Sequence, residues 1–145
     1  MEKHILLSVS PYVQKYYFNE RYKNLPKDIQ ESLRAKICVI AEKTNVIISL
    51  GFYEDGEIFV EQRYEDLSYY DEIGAQLRIK KFQRDEEDLF GALKRWYMVY
   101  HTPKGEIIRE VALYQQQNKN KEEIIAVIVE KHGEVFREFV TQLLS

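Results

Sequence analysis

The sequence predicts an α+β fold in which a small antiparallel sheet, centred on a β-hairpin (46–64), is packed by helices 27–43 and 69–100 and followed by a helical C-terminal tail. Two observations predict it. Apolar residues alternate on both sides of the turn at 54–56, which is typical of paired strands. Before and after this hairpin, apolar residues recur every three to four positions, which is typical of helices with one buried face.

The N-terminal region predicts two strands and the first helix. Residues 5–9 form a short apolar strand, and the aromatic run at 16–18 suits an edge strand because it is rich in strand-forming side chains. Pro26 stands near the first helical position, where its missing N–H costs nothing. The helix at 27–43 is then expected to stop at Asn45.

The register of the hairpin follows from the length of its turn. A two-residue loop would place Leu50 opposite Glu61, whereas a three-residue loop places Leu50 opposite Val60. The second register keeps the apolar face together, so we predict a type I turn with Gly56 in the left-handed conformation.

The segment 69–100 predicts one long helix. Ser68 and Asp71 resemble a capping box at its start, and Glu86 is the one acidic residue in an otherwise apolar and aromatic seam. The other members of that seam are Ala75, Ile79, Phe82, Leu89, Leu93, Trp96 and Tyr100. Unbroken, the helix would be about 48 Å long, at about 1.5 Å for each residue.

This length leaves two alternatives, because a compact chain of this size has a radius of gyration of only about 15 Å. In the first, the helix breaks, either within 83–88 or at Gly91, and packs inside its own chain. In the second, its free end packs against a second copy of the chain. The predicted dimer face of the second alternative consists of Leu89, Leu93, Trp96 and Tyr100.

The remaining residues, about 105–145, predict a helical tail after a turn at 102–105. Asn120 stands three residues before Glu123, where it can cap a helix. Residues 124–129 are apolar on every side and β-branched, so helix and strand both fit there, as they do at 105–114.

Composition narrows the class of protein. We expect one domain over 1–145, because 145 residues can bury a core of their own. A net charge of −3 argues against a nucleic-acid partner, and no apolar run approaches the roughly 18 residues of a membrane span. The single cysteine, Cys38, excludes an internal disulfide, so we expect a cytoplasmic protein.

The sequence predicts no catalytic residue, no metal and no cofactor. Its three histidines, His4, His101 and His132, are far apart and lack the spacing of metal ligands. Cys38 lies in an apolar run that favours an unreactive thiol, and the serines lack the elbow motif of a nucleophile. The six glycines are dispersed, so they form no phosphate-binding loop.

The strongest local charge lies between Glu54 and Glu72, where eight acidic residues and one basic residue, Arg63, give a net charge of −7. Such a segment is a solvated surface, a site for a basic protein partner, or a ligand pocket in which burial separates the pKa values of paired carboxylates. The residues of this predicted ligand or partner surface are Tyr64, Glu65, Asp66, Tyr69, Tyr70, Asp71 and Glu72.

Five short motifs together resemble an uncharacterised bacterial family of about this length, over residues 12–100. They are Lys15-Tyr16-Tyr17-Phe18-Asn19, Leu25-Pro26, the Asp55-Gly56 hairpin, Asp71-Glu72-Ile73-Gly74 and Gln83-Arg84. The resemblance implies a bacterial, cytosolic origin. The family has no function to carry over.

The sequence therefore predicts a non-catalytic cytoplasmic interaction or regulatory protein that self-associates through the dimer face. The alternative is a small-molecule-binding protein or enzyme whose pocket lies between the hairpin and the long helix. The observation that separates them is whether the carboxylates at 65–72 converge in a concave site or spread into solvent.

Overall fold

A computed structural model describes residues 2–65 and 70–145. The strands are β1 (Lys3–Ser10), β2 (Lys15–Phe18), β3 (Ile47–Tyr53) and β4 (Ile58–Arg63). The helices are α1 (Lys27–Thr44), α2 (Glu72–Asp85), α3 (Glu87–Tyr100), α4 (Pro103–Gln116), α5 (Lys121–His132) and α6 (Arg137–Leu143), with 3₁₀ turns at Glu20–Tyr22 and Glu134–Phe136. The predicted α+β fold is confirmed.

The chain divides into two compact units, Met1–Lys94 and Arg95–Ser145. The first contains the sheet, and the second contains α4 to α6. The single-domain organisation stays a prediction. No helix among the described residues is long and apolar enough to cross a membrane.

The sheet has the strand order β2-β1-β3-β4, and every neighbouring pair is antiparallel. Helix α1 packs on β1 and β3, α2 packs on β4, and the two helices contact each other. They cover the face of the sheet whose central side chains are 4% exposed or less, namely Leu7, Val9, Ile48, Leu50 and Phe52. Burial of each such side chain contributes about 1.5–3 kcal/mol, so this face is the core of the first unit.

The first unit repeats one motif twice. A strand pair followed by a helix occurs as β1-β2-α1 and again as β3-β4-α2, and the two halves meet at the antiparallel pair of β1 and β3. An approximate twofold axis normal to the sheet therefore relates them. No internal repeat is apparent in the sequence, so the repetition is one of topology.

The predicted hairpin register is confirmed. Leu50 pairs with Val60, and Gly56 has a φ of 84°. The Gly56 N–H donates to the Tyr53 carbonyl at 2.9 Å, which closes a three-residue loop with glycine in the left-handed position that suits it.

The predicted edge strand is also confirmed, since β2 pairs only with β1 among the described strands. In its pairing with β3, β1 contains an irregularity at Leu6, which is fully buried. Asn19 satisfies the backbone there, because its N–H donates to the Leu6 carbonyl at 2.9 Å and its side-chain amide donates to the Ile5 carbonyl at 2.8 Å.

The limits of α1 follow the predicted signals. Pro26 immediately precedes its first residue, and Asn45 follows its last with a left-handed φ of 59°. The Asn45 N–H donates to the Ala41 carbonyl at 2.8 Å. The stop at Asn45 is therefore confirmed.

The predicted start of the long helix at 69 is wrong. Tyr70 and Asp71 are not helical, and α2 begins at Glu72 with Asp71 as its N-cap, whose carboxylate accepts the Gly74 N–H at 2.9 Å. Ser68, the predicted cap, lies outside the described residues. Asp71 serves better than a hydroxyl would, since a carboxylate is also favoured by the helix dipole.

The predicted break is confirmed at Glu86, which separates α2 from α3 with φ −107° and ψ 24°. Two contacts hold the break. The Glu86 carboxylate pairs with Lys36 of α1, and the rings of Phe82 and Phe90 meet edge to face at 5.4 Å across it.

In the second unit, both ambiguous segments are helical. The predicted turn at 102–105 is instead the start of α4, because Thr102 is the N-cap and Pro103 the first residue. Asn120 caps α5 as predicted, accepting the Glu123 N–H at 2.9 Å. The core of this unit consists of Ile107, Val111, Ile124, Ile128 and Val140.

Candidate functional site

The described residues of the predicted ligand or partner surface are exposed or half-buried, and their role in binding stays a prediction. Of the carboxylates of this surface, Glu65, Asp71 and Glu72 are exposed, and Asp71 is already used as the cap of α2. Tyr64 and Tyr70 do come together, with their rings stacked at 3.8 Å. Asp66 and Tyr69 lie outside the described residues. The three described carboxylates are thus surface groups.

The wider acidic stretch is partly neutralised within the chain. Glu57 pairs with Lys94, and Glu61 pairs with Lys3 at 2.8 Å. The field offered to a basic partner is therefore smaller than the net charge of the segment suggests. A basic protein partner stays a prediction.

The predicted dimer face is only partly at the surface. Leu93 is 1% exposed, Leu89 and Trp96 are half-buried, and Tyr100 is 54% exposed. The Arg109 guanidinium lies 5.2 Å from the centre of the Tyr100 ring. Tyr100 is therefore the member of the set that offers most of its side chain to a second copy.

A different site is built on the face of the sheet opposite α1 and α2. A groove of about 640 Å³ lies there, and we call it the sheet groove; it is lined by Ile5, Ser8, Tyr17, Ser49, Glu61, Gln62 and Arg63. Its volume falls within the range of about 300–1,000 Å³ that is usual for small-molecule sites.

The register of the strands explains the groove. Directly paired residues point to the same face, and Tyr17, Ser8, Ser49 and Glu61 form one row across β2, β1, β3 and β4. The two central strands contribute small side chains, and the edge strands contribute large ones. The result is a low floor between two raised walls.

The floor is polar. The hydroxyls of Ser8 and Ser49 lie 2.9 Å apart and hydrogen-bond to each other, with either one able to donate. Each hydroxyl can both donate and accept, so the pair retains hydrogen-bonding capacity toward a ligand above it.

An aromatic ring covers the neighbouring row of the sheet. In the next row along β3 stands Gly51, and the Phe59 ring of β4 lies over it so closely that a Cβ at position 51 would be 2.7 Å from the ring Cζ. Phe59 is only 5% exposed and also packs against Tyr53, with ring centroids 5.3 Å apart. The face of the hairpin opposite the core of the first unit thus holds a buried ring at this point.

The walls carry the recognition chemistry. Tyr17 is 54% exposed and presents a free aromatic face on one side. On the other side, Glu61 is occupied by Lys3, and this hydrogen bond raises the pKa of Lys3. Arg63 is exposed and makes no ion pair with any residue that the structure describes. Among the described residues that line the groove, it is therefore the one that supplies a charge without an ion-pair partner.

Sequence reasoning missed Ser8, Tyr17, Ser49 and Arg63 as a set. The signal was present, since serine and glycine occupy alternate positions in strands that are otherwise strongly apolar. That pattern indicates a row of small side chains on one face of each strand. It predicts a groove only if β1 and β3 are neighbours in the sheet.

Among residues 2–65 and 70–145, two groups of side chains have ligand atoms close enough to share a metal ion. They are Glu2, His4 and Glu54 in the first unit, and Glu106, Glu110 and His132 in the second. Neither was predicted, because each combines residues that are distant in the sequence.

The chain matches a family model described as "Family of unknown function (DUF6145)" over residues 3–106. No curated protein and no solved structure matches the chain. The resemblance over 12–100 is thus confirmed as a likeness to a family of unknown function, whereas its bacterial, cytosolic origin stays a prediction. Because the match covers well over half of the 145 residues, the chain belongs to this family.

Proposed function

We propose that this member of the DUF6145 family is a non-catalytic binding protein whose sheet groove holds a small organic ligand bearing a carboxylate. The observation that carries the proposal is the combination, in one groove, of an exposed guanidinium that forms no ion pair with the described residues, an exposed tyrosine ring and a floor of two serine hydroxyls. This function corresponds to the alternative that the sequence predicts, a small-molecule-binding protein. The proposed site differs from the predicted one, which lies between the hairpin and the long helix.

The guanidinium of Arg63 selects the charge of the ligand. Arginine presents a planar fork of N–H donors that matches the two oxygens of a carboxylate. Because Glu61 is held by Lys3 on the same wall, Arg63 is left to supply the positive charge.

Tyr17 and the serines select the rest of the ligand. A flat apolar group stacks on the exposed tyrosine ring, while a hydroxyl, amide or carbonyl group meets the serine floor. Because the groove lies on one face of the sheet, we expect a ligand that lies flat along the strands.

The residues that line the groove beside the two serines favour binding over catalysis. The lining contains no histidine, and its one carboxylate, that of Glu61, is taken by Lys3. A serine without a general base near it is a weak nucleophile. The serines therefore act as hydrogen-bonding groups.

The first test is native mass spectrometry of gently purified protein, followed by ligand-detected NMR with a library of small aromatic carboxylates. We expect hits that lose at least about tenfold in affinity in Arg63→Gln, since a hydrogen bond to a charged group contributes about 1.5–3 kcal/mol. Ser49→Leu, which fills the floor, should abolish the same hits.

Arg78→Gln is the matched control, because Arg78 is also an exposed arginine but borders the separate groove between α1 and α2. Hits that survive Arg63→Gln and Ser49→Leu as well as they survive Arg78→Gln would overturn the proposal. A second library of aromatic amines of matching shape that yields hits where the carboxylates yield none would also overturn it.

We also propose that the protein works in the cytoplasm and that any interaction role is exerted through self-association. The single cysteine supports the first statement. The exposed ring of Tyr100 supports the second.

A further inference from the structure

The second unit contains a cluster of metal-ligating side chains on two neighbouring helices. Glu106 and Glu110 lie one turn apart on α4, so their side chains project from the same face. His132 is the last residue of α5. The donor atoms of the three residues all lie within 4.8 Å of one another.

The centre of this cluster is sheltered. The side chain of Glu110 is 15% exposed and that of His132 is 12% exposed, and they are joined at 2.8 Å between Oε2 and Nε2. The Phe136 ring stands edge-on to the imidazole at 6.4 Å. These contacts fix the orientation of the imidazole, while Glu106 remains at the surface.

We propose that Glu106, Glu110 and His132 bind one divalent first-row transition-metal ion. Two carboxylate oxygens and one imidazole nitrogen form a donor set that suits Zn²⁺, Co²⁺ and Mn²⁺. With three protein ligands, the ion keeps at least one position for water. No cation is needed to bring the donors together, since the α4–α5 packing already does so.

Lys131 is the competitor of the ion. Its ammonium lies 2.5 Å from Oε1 of Glu110, the oxygen that His132 does not contact. A bound ion therefore displaces this ammonium, whose side chain is 55% exposed and can move into solvent. Without an ion, Glu110 links α4 to α5 through an ion pair with Lys131 and a hydrogen bond with His132.

The test is titration of the full chain, free of any purification tag, with Co²⁺ followed by visible absorption, and with Zn²⁺ followed by calorimetry. We expect one ion for each chain. Glu106→Gln should weaken binding at least about tenfold, because loss even of an outer partner of a metal ligand costs 10–100-fold. Glu106 forms no ion pair in the described part of the chain, so this change leaves the Glu110–His132 pair intact.

Two further variants sharpen the result. Lys131→Ala should tighten binding, because it frees one oxygen of Glu110. His4→Gln is the matched control, since His4 belongs to the other group of close donors in the first unit, and it should leave binding unchanged. No binding by the unaltered chain, equal binding by Glu106→Gln, or loss of binding only in His4→Gln would overturn the proposal.

Discussion

At the residue scale, Gly51 is where the sheet has no room for a side chain. Glycine is required there by space, because a Cβ would lie 2.2 Å from the His4 carbonyl oxygen as well as against the Phe59 ring. The carbonyl belongs to the neighbouring strand and cannot move away without breaking the pairing of β1 with β3. The packing of the Phe59 ring over β3 depends on this close approach.

We therefore predict that Gly51→Ala lowers the free energy of unfolding by at least about 1–3 kcal/mol, the usual cost of overpacking. Denaturant unfolding measures it. Ser49→Ala, two residues away on the same strand and face, loses a single hydroxyl pair and should cost no more than about 1.5 kcal/mol. Equal stability of Gly51→Ala and the unaltered chain would show that the ring and the strand can both shift.

The reactivity of the Cys38 thiol was predictable from its neighbours in the sequence. Its apolar neighbours predicted an unreactive thiol, and burial does raise the pKa of the Cys38 thiol, with Glu42 adding to the effect. Less thiolate is then present at neutral pH. The thiol is half-buried in α1, so the prediction rests on its environment more than on its inaccessibility.

At the scale of the element, helix limits follow from a few capping residues. Asn120 holds the start of α5 through one side-chain hydrogen bond. We predict that Asn120→Ala lowers the free energy of unfolding by about 1 kcal/mol, because an orphan N–H of the first turn loses its acceptor. Asn120→Ser keeps an acceptor and should restore most of this loss. The prediction fails if thermal unfolding of the two variants is indistinguishable.

The elements that local chemistry determines were predictable from the sequence. The hairpin register followed from alternation and Gly56, and the end of α1 followed from Asn45. The pairing of β1 with β3 was not predictable in this way, because about forty residues separate the two strands and periodicity says nothing about which strands are neighbours. The sheet groove needs this non-local pairing, and the cluster of Glu106, Glu110 and His132 needs the packing of α4 against α5, so sequence reasoning found neither site.

The break at Glu86 likewise has one aspect that is predictable from local sequence and one that depends on a distant residue. A seam interrupted by one carboxylate indicated where the long helix stops, but not what receives the carboxylate. The structure gives the answer as Lys36 on α1. An ion pair of this kind at a partly exposed position contributes at most about 1 kcal/mol, so it selects the place of the break more than it stabilises the fold.

At the scale of the whole molecule, the open question is self-association through the dimer face. Leu93 is buried within the chain, so Leu93→Ala should lower the free energy of unfolding by about 2–5 kcal/mol. Tyr100→Ala separates the two alternatives, since its ring is mostly at the surface.

If the chain is a monomer, unfolding of Tyr100→Ala and of the unaltered chain should not depend on protein concentration. If the dimer face is occupied by a second copy, the unfolding midpoint of the unaltered chain rises with concentration, and Tyr100→Ala reduces that rise. Calorimetric scans at two concentrations tenfold apart decide between them.

The repeated strand-strand-helix motif also sets an order of assembly. Within each half, all strand pairings are between neighbours in the sequence, and such contacts form fast because little loop entropy is lost. We expect the pairing of β1 with β3 to form later, because it joins strands that are about forty residues apart. Since the row that contains Ser8 and Ser49 crosses this boundary, the sheet groove comes into being only at the last of these steps. During synthesis, a nascent chain would become able to bind the proposed ligand only after its second hairpin has left the ribosome. A ligand bound in the sheet groove would then contact residues of both halves and stabilise their pairing.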